Sequence, residues 1–173
     1  VITMNNELQT MMTAVEGRYP TRAEQAMLRD WAARLESRLA AVAEIQSREE
    51  AIIAQAVDEV LRAYPDLEKR IKDARRCCLR DESLVLRYCS LALLRGDLQW
   101  LEDSLLTWMA TVLRGIGFAP AFVSDTYTML TRAAARELSP GVMEQLRPYL
   151  DLTVAVLAGK QEPAKEPAKG AVA

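Results

Sequence analysis

The chain contains no histidine. That absence removes histidine acid–base catalysis, cysteine–histidine and serine–histidine nucleophile pairs, histidine-ligated haem and most zinc sites. Cysteine is scarce too. Cys77, Cys78 and Cys89 are too few and too close for a secreted disulfide framework, which points to a reduced, cytoplasmic setting. No run approaches the ~18 consecutive apolar residues of a membrane span. Residues Val1 to Asn6 lack the basic and apolar blocks of a signal peptide, so membrane insertion is not expected. Basic side chains number 22 against 24 acidic ones, a formal net charge of -2, and no basic surplus points to nucleic acid. A glycine-rich phosphate loop is also missing, because Gly96, Gly115 and Gly117 stand in helical breaks. Neither a catalytic residue nor a metal ligand is assigned, and enzymatic activity is not expected.

What remains is rich in helix formers. Half of the 173 residues are hydrophobic, enough for one domain that hides roughly 70% of its unfolded surface. No alternating β-branched run signals a strand. A short helix over Asn6–Glu16 precedes the break Gly17-Arg-Tyr-Pro20. Thr21, with Glu24 three residues on, forms a capping box for a helix whose apolar stripe is Leu28, Trp31, Leu35, Leu39, Val42 and Ile45. Ser47-Arg-Glu-Glu50 offers a restart, and Ile53, Val57, Val60 and Leu61 continue inward.

Pro65 ends that helix and Asp66 is placed to cap the next. Leu67, Ile71, Ala74, Cys78, Val85 and Tyr88 then trace one face up to Gly96-Asp97. Two further amphipathic stretches, Leu98–Arg114 and Pro120–Glu137, flank Gly115-Ile-Gly117. The last helix runs from Val142 to Ala158, with a kink expected at Pro148. Beyond it, the repeated Glu162-Pro-Ala-Lys tail has nothing to bury. The expectation is one helical domain over 1–158 and a disordered tail over 159–173. Trp31, Trp100 and Trp108 read as core or interface anchors.

The stretch from Arg75 to Asp81 carries the chemistry. On a helix, Cys78 and Asp81 share a face, and that face is the apolar stripe. A carboxylate there needs a cation or several N–H donors. Arg75, Arg76 and Arg80 surround the pair and suit the carboxylates of a ligand. Two readings fit. Thiol, carboxylate and guanidinium groups together suit a bound acidic molecule that also carries N–H groups. Alternatively, Cys78 and Cys89 are ordinary core thiols and Asp81 pairs with an arginine at the surface.

Cys78-Leu-Arg-Asp-Glu-Ser-Leu-Val-Leu-Arg-Tyr88, followed by Gly96-Asp97, resembles the chromophore-bearing region of phycobiliproteins. Gly17-Arg-Tyr-Pro-Thr-Arg-Ala-Glu24 and Arg147-Pro-Tyr-Leu-Asp151 resemble two further family segments in the same order. The resemblance covers about residues 5–158. It implies an all-α, globin-like phycobiliprotein fold with an N-terminal helical extension, and a role around the phycobilisome antennae of cyanobacterial photosynthesis. By position it implies that Cys78 forms a thioether to a linear tetrapyrrole of the phycocyanobilin type, that Asp81 bonds its pyrrole N–H groups, and that Arg80 pairs with a propionate. Arg76 joins them as a chromophore-binding residue. Haem is not implied, because the proximal histidine is missing.

Between Tyr64 and Cys78 this chain is shorter than typical antenna subunits, and the missing stretch is the loop that walls the bilin pocket. Leu84 and Val85 replace the aromatic residues that follow the motif in the family. These departures resemble a divergent paralogue, similar to the bilin-biosynthesis-associated globins. The resulting expectation is a non-enzymatic protein of bilin handling or phycobilisome assembly with weak or no stable pigment. The alternatives are a phycobilisome subunit carrying a bilin on Cys78, and a purely structural or regulatory interaction module. Expected partners are phycobilisome or bilin-pathway proteins and a second copy, held through the N-terminal helix by Met4, Leu8, Met11, Met12 and Val15. The expected location is cytoplasmic, peripheral to thylakoid-associated phycobilisomes.

Overall fold

The structure, a computed structural model, describes residues 6–159. Met4 and the Glu-Pro-Ala-Lys tail lie outside the described residues. The regular elements among the described residues are all helical: α1 (Asn6–Ala14), α2 (Arg22–Ala33), α3 (Leu35–Ala63), α4 (Leu67–Arg70), α5 (Ala74–Arg95), α6 (Leu98–Leu101), a π turn (Glu102–Leu106), α7 (Thr107–Ile116), α8 (Pro120–Glu137) and α9 (Pro140–Leu157).

The 29-residue α3 is the longest element, spanning roughly 44 Å at 1.5 Å per residue. It buries Ala41, Ile45, Ile52, Ile53, Ala56, Val57 and Val60, a stripe of helical period. α3 packs on α5 and α8, while α9 lies against α8 and α5. These four helices enclose a core that includes Val85, Leu86, Cys89, Leu93, Leu130, Leu146 and Leu150. No described helix is long and apolar enough to cross a membrane.

Thr21 caps α2 through the expected box. The Glu24 N–H donates to its hydroxyl, and the Glu24 carboxylate accepts from the Thr21 N–H. The stripe read from Leu28 to Ile45 is nevertheless not one helix. The chain turns at Arg34 (φ -90°, ψ -8°), a break that carries no glycine or proline. It follows an anchor between distant residues, the Trp31 indole N–H donating to the Arg95 carbonyl at 3.1 Å. Leu39 consequently faces solvent. The restart at Ser47 does not occur, because its hydroxyl bonds back to the Glu44 carbonyl inside an unbroken α3.

The helix expected from Asp66 to Gly96 is divided as well. Asp66 makes no side-chain cap bond, α4 ends after one turn, Ile71 is extended, and Asp73 is left-handed at φ 57°. Leu67, Ile71 and Ala74 still pack together, with Val60 and Met129. The face survives while the helix does not. A π turn interrupts the Leu98–Arg114 stretch, and the added residue keeps Leu101, Leu105, Leu106, Met109 and Ala110 all buried. Pro148 lies inside α9 as expected, and the helix continues across it. Pro148 and Glu144, whose carbonyl loses its partner there, lie on the exposed side.

Candidate functional site

α5 begins where the short Tyr64–Asp73 connection ends, so Cys78, Arg80 and Asp81 occupy its second turn. These three line one cleft of about 180 Å³ together with Glu82. Leu67 and Ile71 come from the connection, Leu113 and Ile116 from α7, and Phe122, Val123, Thr126 and Tyr127 from α8. Phe118 and Phe122 stack at 4.9 Å, and Tyr64 meets Phe122 edge-on. The walls are therefore apolar and aromatic, with polar groups concentrated on α5.

Arg80 and Asp81 pair, Nε to Oδ1 at 2.7 Å. The Asp81 side chain is 34% exposed and that of Arg80 is 71% exposed, so the pair sits at the cleft rim. The surface pairing that sequence left open for Asp81 is present, and so is its place in the cleft. Arg76 is not brought to this site. It points to an adjoining open hollow, with its guanidinium near Asp73 at 3.8 Å. Arg75 pairs with Asp58 of α3 at 2.7 Å.

Cys78 is half-buried, and burial, with the neighbouring Glu82 and Asp81 charges, pushes its thiol up to about 11. A thiol so raised is almost wholly protonated near neutrality and a weak nucleophile. Cys89 lies in the core beside the Thr153 hydroxyl at 3.4 Å, and burial raises it to about 12.

The carboxyl that sits on the buried face is Glu82, not Asp81. Glu82 is 1% exposed, and neither of its oxygens has a hydrogen-bond partner. Burial first, and the Asp81 charge second, raise it to about 8. Spacing allowed that place without singling it out from Asp81. Position 82 lies four residues after Cys78 and three before Val85, which puts it squarely on the apolar stripe.

The helical frame thus holds an apolar cleft that carries a thiol, a guanidinium and two carboxyl groups. A family model described as "Phycobilisome protein" matches residues 12–157. The chain is 26% identical over 148 residues to the allophycocyanin alpha-B chain of Cyanophora paradoxa, covering 83% of this chain and 91% of that one. It is 25% identical over 166 residues to the C-phycoerythrin class 1 subunit alpha of Synechococcus sp. (strain WH7803), covering 90% and 100%. The chain belongs to the phycobilisome protein family, and its all-α architecture is the globin-like phycobiliprotein fold with α1 and α2 as the N-terminal extension.

Proposed function

We propose that this is a non-enzymatic member of the light-harvesting phycobilisome family that holds a bilin loosely, in bilin handling or phycobilisome assembly, without a stable covalent pigment. The observation that carries the reading is the size of the cleft. Its volume of about 180 Å³ is below the roughly 300–1,000 Å³ of pockets that enclose small-molecule ligands. The Tyr64–Asp73 connection contributes only Leu67 and Ile71 to the wall, so an elongated tetrapyrrole would lie partly in solvent.

The residues present suit such a group in chemistry. Orphaned Glu82 oxygens and the Asp81 carboxylate accept N–H donors, Arg80 at the rim meets a carboxylate, and the aromatic walls receive a flat conjugated frame. Bound bilin would supply visible absorption. The protein's part is to orient it and to limit its motion. The raised Cys78 thiol argues against spontaneous thioether formation. Relatives whose names are those of antenna subunits favour one further reading, a bilin fixed on Cys78. Partners in this proposal are phycobilisome or bilin-pathway proteins and a second copy of the chain, at a location peripheral to thylakoid-associated phycobilisomes.

The test is the visible spectrum of the chain co-produced with phycocyanobilin, native and after acid–urea denaturation, beside Cys78→Ala. Colour that washes out on denaturation in both proteins is the expected result. Colour that survives denaturation and needs Cys78 overturns the proposal in favour of a pigment-bearing subunit. A folded but colourless chain overturns it in favour of a structural or regulatory module.

A further inference from the structure

The fold supplies Glu82 with no hydrogen-bond partner. Its carboxyl is 1% exposed, lacks any hydrogen-bond partner, and lines the cleft. Buried carboxyl groups in a purely structural role are normally satisfied by neighbouring donors, and here the nearby donors are committed elsewhere. The Thr126 hydroxyl donates to the Phe122 carbonyl, and the Tyr127 hydroxyl to the Met109 sulfur. Arg80 is held by Asp81 at the rim.

The titratable groups around Glu82 are Cys78 and Asp81 on its own helix and Tyr127 on α8, none of them a cation. The α3 side chains in the core beside α5 are apolar, Ile52, Ile53, Ala56 and Val57 among them. A carboxyl in this setting keeps its proton, because nothing nearby compensates the anion. The one direction left for a partner is the cleft.

We propose that Glu82 is a second ligand contact of the cleft, separate from Asp81, and that it passes its proton to a basic imine-type nitrogen of a conjugated, largely apolar ligand. In that step the carboxyl O–H bond breaks and an N–H bond forms on the ligand. The Glu82 carboxylate stays as acceptor of the new N–H, so net charge is unchanged and solvent supplies no proton. The resulting ion pair is tolerable inside, where a lone carboxylate is not. The inference rests on the reading that the cleft takes a bilin, since a linear tetrapyrrole carries such a nitrogen. It extends that reading by assigning the proton source to the side chain that follows Asp81.

Phycocyanobilin titrated at pH 7 into the purified full chain tests this, with Glu82→Gln and Glu82→Leu beside the wild type and circular dichroism to verify helicity. The wild type is expected to bind with the red-shifted band of a protonated tetrapyrrole. Both variants are expected to bind at least tenfold more weakly and to show the band of the unprotonated pigment. A red-shifted band and an affinity within twofold of wild type in both variants overturn the role of Glu82 and leave the bilin reading standing. A wild-type chain that takes up no phycocyanobilin overturns both.

Discussion

At the scale of single side chains, burying Glu82 links folding to pH. The folded chain holds its proton up to about 8, against an ordinary 4.5, so the folded state binds the proton more tightly than the unfolded one. Its contribution to stability is therefore fully present below pH 4.5 and is lost as pH rises through 8. Over that window the loss is at most about 1.4 kcal/mol per pH unit. Glu82→Gln removes the titration. Chemical denaturation should find the variant more stable than wild type at pH 8.5, with the advantage shrinking towards pH 5. Parallel pH profiles for the two proteins would refute the link. Sequence spacing placed a carboxyl on the buried face of α5 but assigned it to Asp81. The two residues are adjacent, about 100° apart on a helix. Only the packing of α3 and α9 against α5 decides which of them faces inward.

Among the elements, the corner between α5 and α6 ties α1 to the middle of the chain. Gly96 is left-handed at φ 68°. Asp97 caps α6 by accepting the Trp100 N–H, and its other oxygen accepts the Asn6 N–H from α1 at 2.8 Å. The Arg38 guanidinium of α3 occupies the space where a Gly96 Cβ would stand. Gly117 is also left-handed, at φ 84°, with nothing near its Cβ position. Alanine at either site incurs the left-handed cost of about 1–2 kcal/mol. Gly96→Ala must in addition displace Arg38. Thermal melts should rank wild type above Gly117→Ala and Gly117→Ala above Gly96→Ala; equal losses would mean that the Arg38 approach carries no weight. Gly96-Asp97 was readable as a break, and Thr21 with Glu24 as a cap, because both are local chemistry. The turns at Arg34 and at Ile71–Asp73 were not, because their residues carry no breaker and their conformations answer to contacts made elsewhere.

For the whole molecule, the N-terminal pair sets what surface is left for a partner. Leu8, Met11 and Val15 pack inward against Leu28 and Trp31, so three of the five side chains expected to pair with a second copy are already covered within the chain. Met12 and Met27 remain exposed on this pair of helices. The proposed self-association through α1 and α2 would then rest on these two thioethers, which suit adaptable contacts. Sedimentation equilibrium should find the wild type associating at high concentration and the Met12→Glu, Met27→Glu double variant monomeric. A monomeric wild type, or an unchanged variant, would reject that surface. Trp108, read as an anchor of core or interface, is 60% exposed on α7 beside Val112 and Ile116. A large aromatic in a periodic stripe does not reveal which side of its helix is covered.

Periodicity, capping and composition were enough to determine a helical chain, and the resemblance carried by the Cys78–Tyr88 segment pointed to its family and to the α5 turn that bears Cys78, Arg80 and Asp81. These properties are written in short-range spacing, where a helix of 3.6 residues per turn maps sequence directly onto faces. Tertiary structure alone decided that Arg76 points away from the cleft, that Glu82 rather than Asp81 is sealed in, and that the cleft closes to about 180 Å³. Each of those depends on how helices far apart in the chain pack against α5, and burial, unlike helicity, is a property of neighbours rather than of spacing.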